Sequence, residues 1–360
     1  MISYADVERL LAVRVPAVRG PAAQAGRSVR GQPDRHGAQP SVLSLYLGVP
    51  ADPAELHGLL ARTHGLIALA GGGPAEEEEA GRLIEGHGRD WLGQTAAIFV
   101  AGQDGGRSEA FSLPCQLPDR AVLAQRPHVR PLLVALQRCP AYYVAVVDTL
   151  AAWLLRVQAD QVSELEHDHF RTTIALLERV MQPGGQEPVV VGGQPEAIDE
   201  FTAMLPSGLR DRVAGSFAAD PDAMTPATAG NLARPIIDDW VSMREKWLAV
   251  QTRLGEGPYD PLVVSGLYRC LDAVNQRAIQ LLIVPVSGMA GGYVCNRCGA
   301  LSPAGTDCPD GQDQSRWVPD LFEEMATRTL DDGGQVEALA DPPGQVAAHL
   351  RFSVTEVNGR

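Results

Sequence analysis

Apolar and polar positions in the first 140 residues follow two different periods, which together predict a mixed α/β region. Alternation with a period of two residues is typical of half-buried strands, and spacings of three and four residues are typical of amphipathic helices. We predict strands at 41–49, 95–100 and 110–117. We predict helices at 3–13, 53–70 and 74–86. These elements make up a first domain over residues 1–138.

The stretch between residues 14 and 40 follows neither period. It is rich in Pro, Gly, Ala and Gln, a composition that cannot bury a core, so we expect it to be mobile. Its positive charges, set against the single acid Asp34, are Arg14, Arg19, Arg27, Arg30 and Arg35. Two interpretations stay open for this segment. It is either a solvated linker or a basic arm that becomes ordered on RNA.

The middle of the chain, residues 139–255, has a different order of elements. We predict three successive strands at 141–148, 151–157 and 162–165. They are followed by helix, strand, helix, strand and helix at 172–181, 188–191, 195–205, 212–217 and 226–254. Three meandering strands followed by alternating helices and strands predict a split sheet of ribonuclease H-like layout.

Residues 258–360 alternate again, which predicts a small α/β sandwich as a third domain. The predicted helices lie at 262–276 and 317–329, and the predicted strands at 279–284, 335–339 and 347–354. A cysteine-containing insertion at 293–312 interrupts this domain. The predicted fold class is therefore multidomain α/β of the α+β kind.

The size and composition of the chain agree with several folded domains. With 360 residues, of which 45% are hydrophobic, it is long enough for two or three cores and is not globally disordered. No apolar run approaches the roughly 20 residues that cross a bilayer. The first residues lack the basic and apolar regions of a signal peptide. We therefore expect a cytoplasmic protein with no membrane partner.

The net charge of −14 is unevenly distributed along the chain. Residues 1–140 hold 14 basic and 14 acidic residues, whereas residues 141–360 hold 16 basic and 30 acidic residues. An acidic body disfavours non-specific binding to nucleic acid, because phosphate contacts need Lys and Arg. We expect no DNA partner, and any contact with RNA must be local.

Several segments resemble one known family when their order along the chain is considered. They are Ser41–Leu47 (SVLSLYL), Tyr143–Asp148 (YVAVVD), Val189–Gly193 (VVVGG), Gly266–Ile283, Gly334–Glu337 (GQVE) and Leu350–Phe352 (LRF). In this order they resemble the bacterial branch of the archaeo-eukaryotic peptide chain release factor and Pelota family. The resemblance covers nearly the whole chain outside residues 14–40.

The resemblance implies a ribosomal function. It implies a first domain that faces the decoding centre and a ribonuclease H-like middle domain that reaches toward the peptidyl-transferase centre. It implies a third domain, built like the kink-turn-binding ribosomal proteins, that engages partner factors. The partners implied are the ribosome, with its rRNA and tRNA site, and a translational GTPase.

The loop that carries the chemistry of this family has no counterpart in the sequence. Release factors hydrolyse peptidyl-tRNA with a Gly-Gly-Gln tripeptide on a long loop between the third strand and the first long helix of the middle domain. Here the strand ends near Glu166 and the helix begins near Thr172, so only the five residues His167–Arg171 lie between them. Such a segment reaches on the order of 10 Å, too little to probe a ribosomal cavity. We predict that the hydrolytic loop is missing and assign no catalytic residue.

Gly-Gly-Gln nevertheless occurs three times, and each copy has a structural interpretation. Gly184–Gln186 follows the end of a predicted helix, where glycine is a common cap. Gly192–Gln194 forms the turn into a helix that begins at Pro195. Gly333–Gln335 ends a helix before a strand. The Gly192–Gln194 triplet has the best alternative to a purely structural role, because a glycine turn at a helix N-terminus can bind an anion.

Two other groups of residues are weaker candidates for catalysis or metal binding. His167, Asp168 and His169 would supply acid–base chemistry or metal ligands only with a further partner, and an exposed loop is the simpler interpretation. Asp148 ends a strand where ribonuclease H nucleases carry a metal-binding aspartate, but such sites need several converging carboxylates. The best partners for it in the sequence are Glu164, Glu166 and Asp220.

The cysteine insertion carries the strongest metal signal. Cys295, Cys298 and Cys308 are spaced as in a zinc knuckle, but Gly311 stands where a fourth cysteine is expected. Asp310 is our predicted fourth ligand, with Asp307 and Asp313 as alternatives. We predict a degenerate structural Zn²⁺ site. The alternative is a loop that packing alone keeps ordered.

Three functions from different classes follow from these observations. The first is a ribosome-associated factor that binds the A site without hydrolysing peptidyl-tRNA, in hibernation, rescue or protection. The second is a peptidyl-tRNA hydrolase or nuclease with a non-standard site near Gln194 or His167. The third is a protein-interaction module that acts away from the ribosome. We predict the first, with RNA contacts through the arginines of the basic segment, and we predict that the chain is not an enzyme.

Overall fold

A computed structural model describes most of the chain as folded elements. The described residues are 6–7, 9–10, 42–101, 108–149, 151–158, 161–181, 187–255, 261–304 and 315–354. The five arginines of the basic segment therefore lie outside the described residues, as do Cys308, Asp310 and the Gly184–Gln186 triplet. The predictions that concern them stay predictions.

The first part of the chain forms a four-stranded antiparallel sheet with the order β3-β2-β1-β4. Its strands are β1 (Val42–Gly48), β2 (Thr95–Ala101), β3 (Glu109–Leu113) and β4 (Arg120–Ala124), and its helices are α1 (Leu56–Ala70), α2 (Pro74–His87) and α3 (Arg130–Arg138). Leu43, Leu45 and Leu47 pack with Leu59 of α1 and Ile84 of α2. Strand β4 and helix α3 are absent from the sequence prediction.

The middle part forms a five-stranded sheet with the order β7-β6-β5-β8-β9. Its strands are β5 (Tyr142–Val147), β6 (Ala152–Gln158), β7 (Gln161–Asp168), β8 (Val189–Gly193) and β9 (Val213–Ala218). Its helices are α4 (Phe170–Val180), α5 (Pro195–Met204), α6 (Ser207–Arg210) and α7 (Pro226–Gly255). The predicted order of strands and helices in this region is found.

Helices cover both faces of this sheet, which explains why its central strands are apolar at every position. On one face, Ala145 and Val191 pack with Leu177 of α4 and Phe201 of α5. On the other face, Val144, Val146 and Val190 pack with Ala229, Ala233 and Ile237 of α7. Strands β5, β8 and β9 are parallel to one another, and β6 and β7 are antiparallel additions beside β5.

The last part contains two further sheets. One has the order β10-β16-β11-β15 and is built from β10 (Val263–Ser265), β11 (Ile279–Pro285), β15 (Gln335–Leu339) and β16 (Ala347–Leu350). The other has the order β13-β12-β14 and is built from β12 (Gly292–Cys295), β13 (Leu301–Ser302) and β14 (Ser315–Val318). The helices are α8 (Leu267–Asn275) and α9 (Leu321–Asp331).

Two predicted helices in this region begin too early. The predicted 262–276 helix starts as strand β10, which pairs with β16, because Gly266 turns the chain at a φ of 87° before α8 begins. The predicted 317–329 helix starts as strand β14, in which Trp317 pairs with Tyr293. Helix α9 begins only after Asp320, whose carboxylate accepts a hydrogen bond from the Phe322 N–H as an N-cap.

The chain divides into two compact units that do not coincide with the predicted domains. One unit comprises residues 1–133 and 287–334, and the other comprises residues 134–286 and 335–360. Each of the four sheets lies within one of the three predicted domain ranges, but the cysteine-containing insertion and α9 belong to the same unit as the first sheet. The division into three domains stays a prediction. No helix among the described residues is both long enough and apolar enough to span a membrane.

Candidate functional site

The junction between β7 and α4 is the place where a hydrolytic loop would emerge. Strand β7 pairs with β6 as far as Asp168, which lies opposite Ala152, and α4 begins at Phe170. Only His169 therefore separates the strand from the helix. The junction is shorter than the five residues predicted from the sequence, because β7 is longer at its end and α4 begins earlier.

Backbone and side-chain contacts close this junction. The Thr173 N–H donates to the carbonyl of His169, and the Thr173 hydroxyl donates to the carbonyl of Ala152 over 3.3 Å. The Phe170 ring is buried and packs edge-on against Phe201, with 5.2 Å between the ring centroids. The first residue of the helix is thus anchored in the core beside the end of the strand. No backbone at this point projects away from the sheet.

The Gly192–Gln194 triplet lies where β8 passes into α5, but both glycines are the last residues of β8, so the turn that the sequence predicts is reduced to Gln194. Gly193 has a φ of 149°, and a Cβ atom there would lie 2.2 Å from the carbonyl oxygen of Val147 in the neighbouring strand. A Cβ atom on Gly192 would lie 2.3 Å from the Phe217 ring. Gln194 is exposed at the N-cap of α5, ahead of Pro195. Close packing of strand against strand therefore accounts for both glycines.

The Gly333–Gln335 triplet is also structural. Gly333 follows the C-cap residue Asp332 of α9 and has a φ of 72°, and its N–H donates to the carbonyl of Leu330. The next N–H, that of Gly334, donates to the carbonyl of Thr329. This is the glycine-terminated helix end that the sequence predicts, because a left-handed residue satisfies the last helical carbonyls.

The carboxylates proposed for nuclease chemistry make local contacts. The Asp148 carboxylate accepts the N–H of Thr149 over 2.6 Å, in the turn between β5 and β6. The Asp220 carboxylate accepts the N–H of Asp222 over 3.2 Å at the start of a short 3₁₀ helix. Among the described residues, no group of three or more His, Cys, Asp and Glu side chains is arranged to hold a metal ion. The side chains of Glu166, His167 and Asp168 lie outside that description.

Cys295 and Cys298 lie on a tight hairpin between β12 and β13. The Gly299 N–H donates to the carbonyl of Cys295, and the Cys295 N–H donates to the carbonyl of Ala300. Gly299 has a φ of 75°. Cys295 is buried and Cys298 is exposed. Two of the four predicted zinc ligands are thus placed on one turn, and the other two, Cys308 and Asp310, are not described.

A cluster of buried charges, which the sequence did not reveal, joins the segment before α3 to the start of α9. We call its four residues the buried clamp: His128, Arg130, Asp320 and Glu323. The Glu323 carboxylate accepts the N–H of Val129 over 2.6 Å and the N–H of Arg130 over 2.9 Å. These are N–H groups at the beginning of α3 that have no carbonyl partner within the helix, so Glu323 caps that helix from outside.

The charged side chains of the clamp pair with one another. Arg130 Nη2 lies 2.6 Å from Asp320 Oδ2 and also donates to the carbonyl of Gly288 over 2.7 Å. His128 Nε2 lies 3.2 Å from Asp320 Oδ2 and 3.4 Å from Glu323 Oε2. The side chains of Arg130 and Asp320 are each 1% exposed. Burial this complete requires the charges to be paired and hydrogen-bonded.

The pKa of Asp320 reports the balance of these effects. Burial alone would raise the pKa of this carboxyl, but the hydrogen bond from His128 and the positive charge of Arg130 outweigh burial. The pKa of Asp320 therefore lies below its ordinary value. The cavity beside the clamp has a volume of about 20 Å³, room for one water molecule. We conclude that the clamp is structural.

One sequence signal pointed to part of the clamp. Asp320 and Glu323 have the spacing of a capping box, in which an N-cap acid is followed three residues later by Glu. The pattern marks the true start of α9. It could not show that Glu323 caps a different helix, since that partner lies 193 positions away in the chain.

One part of the chain matches the model of a known protein family. Residues 158–236, which include β7, the closed junction and the Gly192–Gln194 turn, match the model of "Bacterial archaeo-eukaryotic release factor family 10". Over these residues, the match bears out the resemblance that the order of segments predicts. No curated protein matches the chain by sequence.

Several solved structures are similar to the chain at low sequence identity. One is Dom34 from S. cerevisiae, a translation termination-like factor involved in RNA quality control pathways and interacting with Hbs1. It is 10% identical to this chain, the similarity covers 74% of this chain and 82% of Dom34, and the TM-score is 0.45. Archaeal Pelota, from a model of ribosome-bound Pelota and ABCE1, is 17% identical, with 73% and 79% covered and a TM-score of 0.40. The archaeal termination factor aRF1 is 14% identical, with 97% of each chain covered and a TM-score of 0.23. Scores at this level do not establish a shared arrangement of the whole chain.

Proposed function

We propose that this chain, a bacterial Pelota- and release-factor-like protein, binds the ribosomal A site without hydrolysing peptidyl-tRNA. Its role would be in hibernation, rescue or protection of the ribosome. The observation that carries the proposal is the closed junction, in which His169 alone separates β7 from α4. A factor with the body of this family and no projecting loop at this junction can occupy the site without placing a group from the junction at the ester bond.

Hydrolysis of peptidyl-tRNA and binding to the ribosome have different structural requirements. Hydrolysis needs a positioned group within hydrogen-bond reach of the reacting atoms, roughly 2.6–3.2 Å. The glycines of the Gly192–Gln194 turn lie within the sheet, each buried against a neighbouring strand. Gln194 follows at the end of β8, and its reach is that of one side chain. Binding, in contrast, depends on surfaces that the missing loop does not supply.

The finer organisation belongs to the same proposal. We take the five-stranded sheet as the ribonuclease H-like middle domain and the β10-β16-β11-β15 sheet as the kink-turn-protein-like domain. The resemblance adds a translational GTPase as a partner and the cytoplasm as the place of action. The order of strands and helices in each sheet supports these assignments.

The basic segment provides the first test of ribosome binding. Replacing Arg14, Arg19, Arg27, Arg30 and Arg35 together with Ala should weaken co-sedimentation with ribosomes. It should also reduce the slope of log affinity against log salt by up to roughly 0.9 for each phosphate that is no longer neutralised.

A matched control replaces five exposed acidic residues (Glu78, Glu85, Glu178, Asp199 and Glu200) with Ala. Unchanged binding in the arginine variant would show that the segment is a linker and does not contact RNA. Failure of the unaltered chain to sediment with ribosomes or subunits at low salt would refute the proposed function itself.

We also propose that Cys295, Cys298, Cys308 and Asp310 hold a structural Zn²⁺ ion. The hairpin that brings Cys295 and Cys298 onto one turn supports the proposal, because zinc knuckles carry two ligands on such a turn. Native mass spectrometry should find one zinc per chain, lost in the double variant Cys295→Ser/Cys298→Ser and kept in the control Cys139→Ser. A zinc-free unaltered chain purified without chelator would contradict the proposal.

A further inference from the structure

Helix α7 carries a row of large apolar side chains that the fold leaves exposed. Met243, Trp247 and Val250 are 69%, 62% and 51% exposed. Spacings of four and three residues place them on one face of the helix, and we call this row the α7 stripe. Leu248, on the opposite side of the helix, is 4% exposed and packs in the core. Clustered apolar exposure of this kind marks an interaction surface.

Three charges follow one flank of the stripe at intervals of seven residues. They are Asp239, Lys246 and Arg253, and all three are exposed. At 100° per residue, seven residues amount to two turns less about 20°, so the three side chains lie within about 40° of one another around the helix. The flank is therefore acidic at the end nearer the N-terminus of the helix and basic at the other end.

We propose that a second copy of this chain packs on the α7 stripe, with the two α7 helices antiparallel about a two-fold axis beside Lys246. In such an isologous pair, each flank faces the same flank of the other copy with its direction reversed. Asp239 of each chain then lies level with Arg253 of the other, so two ion pairs form. Met243 of each chain meets Val250 of the other to within one residue rise, about 1.5 Å.

The distribution of charge favours a second copy over a different protein. A partner with an acidic helix would suit Lys246 and Arg253 but would meet Asp239, and a basic helix would have the converse conflict. An antiparallel copy matches both ends at once. The arrangement also carries a cost, since Lys246 faces its own copy at the axis. A single helix pair buries an area near or below the low end of specific interfaces, so we expect a dissociation constant on the order of micromolar.

The lone lysine makes the geometry testable by cross-linking. Lys246 is the only lysine in the chain, so a short amine-reactive cross-linker can join two chains through side chains only at this position. We expect a covalent dimer whose peptide map shows Lys246 linked to Lys246, and we expect Lys246→Arg to abolish that link. Dimers linked only through N-terminal amines would overturn the proposal.

Charge reversal tests the pairing of Asp239 with Arg253. Asp239→Arg and Arg253→Asp should each weaken the dimer roughly tenfold, because each creates two like-charge contacts. An equimolar mixture of the two variants should restore it, since every contact in the mixed dimer again joins opposite charges. Trp247→Glu should be monomeric up to about 100 μM in sedimentation velocity, well above a micromolar constant. A monomeric unaltered chain over that range, or a mixture that stays monomeric, would refute the second copy as the occupant.

Discussion

Asp320→Asn should lower the free energy of unfolding by about 3–5 kcal/mol, although it changes one atom of the side chain. The substitution removes the negative charge that lies 2.6 Å from the Arg130 guanidinium and so breaks an ion pair whose two side chains are each 1% exposed. Asn is close to Asp in size, so neither a cavity nor a steric clash contributes to the loss. Urea unfolding followed by tryptophan fluorescence measures the effect.

Asp331, at the other end of α9, provides the matched control. Asp331 lies 3.4 Å from Arg126, but their side chains are 32% and 31% exposed. Water screens such a pair, so Asp331→Asn should cost at most about 1 kcal/mol. Equal and small losses in the two variants would show that the buried clamp contributes no more than a surface ion pair.

The buried pair of Asp320 and Arg130 also predicts the direction in which stability changes with pH. The pKa of Asp320 is lowered in the folded state, so the unfolded chain binds a proton more readily at this group. The stabilisation is complete above the ordinary pKa of about 3.9 and is lost as the pH falls through the lowered folded value. The stability gap between the unaltered chain and Asp320→Asn should therefore narrow below about pH 4.

Gly193→Ala is the second substitution with a large expected effect, and we expect a loss of at least about 3 kcal/mol. Its Cβ atom would lie 2.2 Å from the Val147 carbonyl oxygen, a backbone atom in the centre of a sheet that cannot move aside. The φ of 149° adds backbone strain for any residue with a side chain. Thermal or urea unfolding measures the loss.

Gly333→Ala measures the cost of backbone strain without a steric clash of the added methyl group. Gly333 also has a positive φ, 72°, but no atom of the described chain lies within 4 Å of the position that an added methyl group would take. We expect a cost of about 1–2 kcal/mol from the left-handed backbone alone. If Gly193→Ala costs no more than Gly333→Ala, close packing does not explain the glycines of the Gly192–Gln194 turn, and a chemical role for that turn gains weight.

The elements with a clear period were predictable from the sequence. Strand β5 and helix α5 were found within one or two residues, because apolar side chains and the Pro195 start signal determine both. Strand β7 was predicted four residues too short. It lies at the edge of its sheet, where Ser163, Glu164 and Leu165 are all exposed, so no apolar alternation marks its course.

Short strands and buried charges could not be predicted. Strands β12, β13 and β14 have two to four residues each, too few to establish a period. His128 and Arg130 resemble surface residues in the sequence, since only the fold brings them to Asp320. The short junction between β7 and α4, in contrast, could be predicted, because the prediction needed only the number of residues between a strand and a helix.

Peptide release from ribosomes that carry peptidyl-tRNA tests the central claim, which is binding without hydrolysis. We expect the purified chain to sediment with these ribosomes while the peptide is released no faster than it is without any factor. Release above that background by the unaltered chain, abolished by Gln194→Ala, would contradict the claim and identify the Gly192–Gln194 turn as a catalytic site.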